Sequence, residues 1–341
     1  MRFNRIAGYL SEPNTSRQIA LYRAATLFGR KAEARRRLIG LFEQIEPGAA
    51  LDRPALRRKN RIFSDAADRL ADSFAAESQA DQGIAFFHRM LAKNPGWSVL
   101  YRGLCRLTFP GDDHVRLLKA LHENVQPKFY VEIGVSEGVS ISVAGSSTDA
   151  VGVDPMPQIA GRLPPNISIF AETSDAFFAA YEARPQFAKR KIDMAFIDGL
   201  HLFEQALRDF INVEKRAAAD GLIALHDCIP FDDVAAGRDY HAPYWVGDVW
   251  KCLAILMDHR PDLNIAIVGA PPSGLVLIRK LDPGSRLLDN NFDALVRDYG
   301  PLRFADWETK YAKRINLIPS HAEAVGRTYA AADKVASAPN A

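Results

Sequence analysis

The chain has only three cysteines in 341 residues, Cys105, Cys228 and Cys252. None stands at a short paired spacing, which excludes a disulfide framework and a cysteine-built zinc site. It has almost no charge imbalance: 43 basic residues face 41 acidic ones, a net of +2, so no general electrostatic argument points to nucleic acid. The one dense basic stretch, Arg23 to Arg37, reads as the wet face of a helix, with a weak acidic-surface or membrane-surface contact as the alternative. There is no run of about 18 apolar residues, and MRFNRIAGYLSEPN lacks the apolar core of a signal peptide. A cytoplasmic protein without stable membrane insertion is expected. No internal repeat is present. Two nucleotide signatures are also missing. In KFYVEIGVSEGVSI the pattern Glu132-x-Gly134-x-x-x-Gly138 lacks the dinucleotide spacing, and no Lys-Ser or Lys-Thr pair follows to make a phosphate loop.

What is there changes character along the chain. Residues 1–111 read as a helical N-terminal region, with apolar residues three and four apart in LIGLFEQI and GIAFFHRMLAKN. Pro95-Gly96 and Pro110-Gly111 mark turns. A helix from His114 to Asn124 then leads into a strand at Phe129, Gly134 permits a tight turn, and Val139 and Ile141 begin a following helix. AVGVD, ISIF, IDMAFID and GLIALHD continue as strands two to five, with helical segments such as SDAFFAAYEA and LFEQALRDFINVEKRA between them. Alternation of this kind predicts an α/β fold with parallel strands joined by right-handed crossovers. LNIAIVG and GLVLIRK are separated only by APPS, too short for a crossover, so they pair antiparallel. The expectation is a doubly wound, mostly parallel, seven-stranded sheet with a final antiparallel hairpin over residues 112–290. Residues 291–341 form a peripheral segment ending in a frayed tail.

In such a sheet the carboxyl ends of the strands share one rim, where ligands bind. Glu132, Asp154, Asp198 and Asp227 are all delivered to it or close to it. Each alone could cap a turn or a helix. Gathered together, like charges in a partly buried rim need hydroxyls, protons or a cation to offset them. Asp154 stands twenty residues beyond Gly134, a spacing suited to the two hydroxyls of a ribose. With no pyrophosphate-binding pattern, the first candidate is a nucleoside cofactor such as S-adenosylmethionine. Packing of strand, turn and helix with no ligand is the alternative account of the small residues of this loop.

VEIGVSEG, GVDP, DMAFIDGLHLFEQALRDF and DGLIALHD, followed by the hairpin, resemble the class I S-adenosylmethionine-dependent methyltransferases. More narrowly they are similar to an Asp-Gly-x-His group that includes small-molecule and sugar O-methyltransferases using magnesium. The resemblance covers residues 112–282. It implies that Gly134 and Gly138 pass the methionine part of the cofactor, Asp154 holds the ribose, and Thr173 or Ser174 approaches the adenine. Glu132 would lie behind the amino-acid moiety, and Asp198 would border both cofactor and metal. The sugar enzymes carry an acid in place of His226, and the catechol-type enzymes an Asn in place of Cys228.

Asp198, His226 and Asp227 are candidate ligands for Mg2+ or Mn2+, and an Asp, His, Asp set suits iron or zinc as well. His226 as a packed, hydrogen-bonded histidine is the alternative. His201, three residues after Asp198, is the candidate base for an acceptor hydroxyl, or else a helix cap or an exposed side chain. The function these features predict is O-methylation of a hydroxylated small molecule or sugar. A cofactor-binding or scaffold protein without transfer activity is the alternative, since fold alone does not carry function. A nicotinamide dehydrogenase is disfavoured by the glycine spacing and the edge hairpin. DGLH differs from the Asn/Asp-Pro-Pro-aromatic signature of amino methyltransferases, so no nucleic-acid partner is expected. A homo-oligomer stays open, as does whether the N-terminal helices shape the acceptor pocket, cover it or pair two copies.

Overall fold

The structure is a computed structural model that describes residues 13–45, 57–240 and 244–331. The chain divides into two compact units: residues 1–108 with 240–245, and residues 109–239 with 246–341. Among the described residues of the first unit the ordered elements are the helices Pro13–Leu27, Lys31–Glu43, Arg57–Ala76, Ala80–Lys93 and Ser98–Thr108. Their apolar faces meet around Phe42, whose ring lies 5.6 Å from Phe63, 6.3 Å from Phe87 and 5.9 Å from Trp97. Such tilted aromatic pairs add to the burial that holds short helices together. Among the described residues no helix is long and apolar enough to cross a membrane.

The second unit is built on one sheet in the order β3-β2-β1-β4-β5-β7-β6-β8. The strands are β1 Phe129–Ile133, β2 Asp149–Val153, β3 Ile167–Phe170, β4 Ile192–Ile197, β5 Ala217–His226, β6 Asn264–Gly269, β7 Leu275–Arg279 and β8 Leu317–Pro319. β1 is buried along its whole length, as a strand covered on both faces must be. It pairs in parallel with β2 and β4, and β4 in turn with β5. β7 runs antiparallel to β5 and β6, which is the anticipated hairpin.

Two expectations change. The sheet has eight strands, because Leu317–Pro319 pairs in parallel with Ile267–Gly269 and extends the far edge. No helix follows the turn after β1; there is only a 3₁₀ turn, Ile141–Val143. The stretch is rich in β-branched and hydroxyl residues, which favour helix poorly, and the Ser142 hydroxyl bonds back to the Gly138 carbonyl. Beyond residue 290 the helix Ala322–Ala331 packs along His114–Val125. Of the tail expected over AAADKVASAPNA, residues 332–341 lie outside the described residues.

Candidate active site

β1, β4 and β5 lie side by side, so their carboxyl ends place Glu132 and Gly134, Asp198, and His226 with Asp227 along one rim. The chain after β1 passes directly against the chain after β4. Asp198 N–H donates to Ile133 O at 2.8 Å, and a Cβ on Gly134 would stand 2.0 Å from the Asp198 carbonyl oxygen. With φ at +84°, only glycine meets both demands at position 134.

Asp198, His201 and Asp227 converge at this rim. One ligand atom from each lies within 4.8 Å of the others, and they are the group among the described residues able to hold a metal ion. His201 Nε2 lies 3.0 Å from Asp227 Oδ2 and 3.7 Å from Asp198 Oδ1. His226 turns Nδ1 toward the same carboxylates, 3.2 Å from Asp198 Oδ1 and 3.4 Å from Asp227 Oδ1. Asp227 adopts a left-handed backbone, φ +58°, uncommon for a residue with a side chain, and the Ser273 hydroxyl donates to its Oδ1 at 2.6 Å. Ser273, His226 and Asp198 thus line up as serine, histidine and aspartate, with Ser273 Oγ 3.4 Å from His226 Nε2. Ser273 has no exposed surface and its proton is committed to Asp227, so it presents no nucleophile.

The electrostatics follow from this packing. Burial disfavours a charged imidazole at His201 and His226, yet the flanking Asp227 and Asp198 carboxylates outweigh it. His201 is pushed up to about 11 and His226 up to about 10. Burial likewise opposes ionisation of the two acids, but the histidines beside them hold Asp198 low and Asp227 well below the ordinary carboxylate range. Protonation of the two imidazoles would thus neutralise the two carboxylates. The donor set of carboxylate oxygens and imidazole nitrogen fits a divalent cation, whose charge would do the same.

The cofactor candidates fall into two kinds. Asp154 sits at the end of β2, half-buried, with Oδ2 accepting from Val135 N at 3.0 Å and Ser136 N at 2.9 Å, and Oδ1 from Met156 N at 2.7 Å. It shapes the loop that carries Gly134 and Gly138. Glu132 lies deeper and fully buried, its oxygens taken by the Tyr130 and Ser140 hydroxyls, each at 2.6 Å. Burial pushes it up to about 8. It can bear on a cofactor only through the loop it braces. Thr173 caps the helix Ser174–Ala179, accepting from Ala176 N. Ser174 is buried against Gln205 and Asp209.

Three residues at or around this site carry no signal in the local sequence. His114 opens the helix before β1 and sets its ring, tilted, 4.4 Å from that of His226. Ser273 arrives on the β6–β7 turn. Asp248 precedes the helix Trp250–His259 and reaches the chain just after His201.

Residues 131–228 match a family model described as a methyltransferase domain, which bears out the resemblance to methyltransferases over that part of the chain. No curated protein matches. Solved structures similar to this chain include an O-methyltransferase from Bacillus cereus in complex with S-adenosylhomocysteine, at 13% identity and a TM-score of 0.38, covering 48% of this chain and 79% of that one. Another is an O-methyltransferase of tomaymycin synthesis from Streptomyces achromogenes in complex with S-adenosylmethionine, at 16% identity and a TM-score of 0.36, covering 59% and 89%.

Proposed function

We propose that this chain transfers a methyl group from S-adenosylmethionine to a hydroxyl of a small molecule. The observation that carries the reading is the convergence of Asp198, His201 and Asp227 at the ends of β4 and β5, one backbone contact from the Gly134 turn. Donor and acceptor have to meet at such a junction, and the methyltransferase-domain match spans both of its walls. The turn that carries Gly134 and Gly138 would pass the donor's methionine part, Asp154 would hold the ribose beside the loop it shapes, and Thr173 with Ser174 would approach the adenine.

Asp198 and Asp227 would hold Mg2+ or Mn2+, which when bound lowers the pKa of an acceptor hydroxyl and fixes its orientation. His201 Nε2 stands beside them at the distance of a hydrogen bond from Asp227. With a cation rather than imidazolium neutralising the two carboxylates, His201 would act as the base that takes the hydroxyl proton. The acceptor oxygen bonds to the methyl carbon as the carbon–sulfur bond of the sulfonium breaks, so the charge on sulfur is discharged and the proton rests on His201. His226, packed between Asp198, Asp227 and Ser273, keeps the carboxylates in place or serves as a further ligand. Calorimetric titration with S-adenosylmethionine tests the reading: saturable heat is expected, and a flat titration of folded protein overturns it.

A further inference from the structure

The helix Phe203–Glu214 begins two residues after His201, and its own N-cap, Leu202, has no side chain able to accept a hydrogen bond. A helix start left in that state would fray, and His201 with it. The missing acceptor comes from 45 residues further along the chain. Asp248 Oδ1 accepts from Phe203 N–H at 2.9 Å, and Asp248 N–H donates to the His201 carbonyl at 3.3 Å. One residue therefore holds the backbone on both sides of Leu202.

Its own seat is tightly made. Asp248 is 1% exposed, and Oδ2 accepts from Arg238 Nη1 at 2.7 Å and Lys251 Nζ at 3.1 Å. Arg238 also pairs with Glu204 in the first turn of the same helix, 3.0 Å from Nη1 to Oε2. Lys251 donates to Gly300 O at 2.8 Å and lies over the Phe203 ring. Gly247 completes the fit. It has φ +63°, and a Cβ there would stand 1.9 Å from the His201 carbonyl oxygen and 2.7 Å from His201 Cβ. The 247–248 peptide can lie this close to His201 only because that Cβ is absent.

We propose that Asp248, seated through Gly247, is the positioning residue for His201: it fixes the turn that presents the His201 ring to Asp227. Its catalytic meaning rests on the reading of His201 given above, but the positioning itself does not. Neither Asp248 nor Gly247 touches the rim chemistry; both act through the His201 backbone.

The test is imidazole NMR of the full chain, with the His201 signal assigned by its loss in H201Q. In the parent protein a protected, downfield ring N–H resonance is expected, the signature of a ring held on a carboxylate. In Asp248→Ala and in Gly247→Ala that resonance should vanish and the ring should shift to the position of a free histidine while unfolding stays cooperative. Should D248A fail to fold because Arg238 and Lys251 lose their partner, G247A, which alters no charge, decides. An unchanged His201 signal in folded G247A or D248A overturns the proposal. Calorimetry of the parent with S-adenosylmethionine keeps the two readings apart, because a flat titration removes the function and leaves the positioning result standing.

Discussion

His201 Nε2 lies 3.0 Å from Asp227 Oδ2 although the two residues belong to different strand ends, twenty-six positions apart in sequence. At that distance the pair is a hydrogen bond, and Asp227, with the Asp198 carboxylate beside it, favours the protonated ring.

For turnover, this makes His201 dependent on its neighbours. Once an acceptor is in hand, H201Q should lower kcat by about a hundredfold to ten-thousandfold. The Kd for S-adenosylmethionine, measured by calorimetry, should stay as in the parent. A variant with full rate would send the proton by another route. Loss of donor binding would make the histidine a structural residue.

Cation binding can be read without any acceptor. Manganese titrated into the protein and followed by electron paramagnetic resonance should bind, and D198N and D227N should each weaken it by at least about tenfold, or ~1.4 kcal/mol. Exhaustive chelation should stop turnover, and magnesium or manganese should restore it. Normal rates after chelation would leave the two acids with no metal to hold.

Asp154 carries the donor prediction. Two charge-assisted hydrogen bonds of roughly 1.5 to 3 kcal/mol each are at stake, not fully additive, so D154A should weaken S-adenosylmethionine affinity about tenfold to several-hundredfold. The three amides that Asp154 collects add loop disorder to the loss. An unchanged Kd in folded D154A would remove the residue from the donor site.

Glu132 gives a pH dependence of stability with a definite sign. Its folded pKa, about 8, lies above the ordinary 4.5, so the folded protein keeps a proton that the unfolded chain releases. Stability therefore falls as pH rises from the ordinary value toward 8 and levels off above it. Asp209, pushed up to about 7 by burial, tilts the same way. Urea midpoints at pH 5 and pH 9 should show the parent losing stability relative to E132Q as pH rises. Parallel profiles would mean that Glu132 ionises normally in the fold.

The strands that position the site were legible because the signal is local. A run such as FYVEI or IDMAFI carries its burial in its own composition, and an acid at its end lies on the rim wherever the sheet is parallel. Asp198 and His201 share one short motif, which is why both could be named together. Asp248 and Ser273 could not, because each acts on a neighbour supplied by another element. β8 has no local signal for a different reason: Leu-Ile-Pro is too short to show any alternation, and its proline argues against a strand. The helix expected after β1 does not form because β-branched and hydroxyl residues fill the stretch and outweigh its apolar spacing.

That three-residue strand also bears on how copies of the chain can associate. An uncovered edge strand offers its amides and carbonyls to any passing strand, and continuous sheets between molecules begin this way. β6 is shielded from such contact by β8, whose last residue, Pro319, has no N–H to give. At the opposite end β3 is four residues long, with Ile167 buried and Ser168 exposed. Both margins of the sheet are thus short, and neither offers a long template for strand exchange.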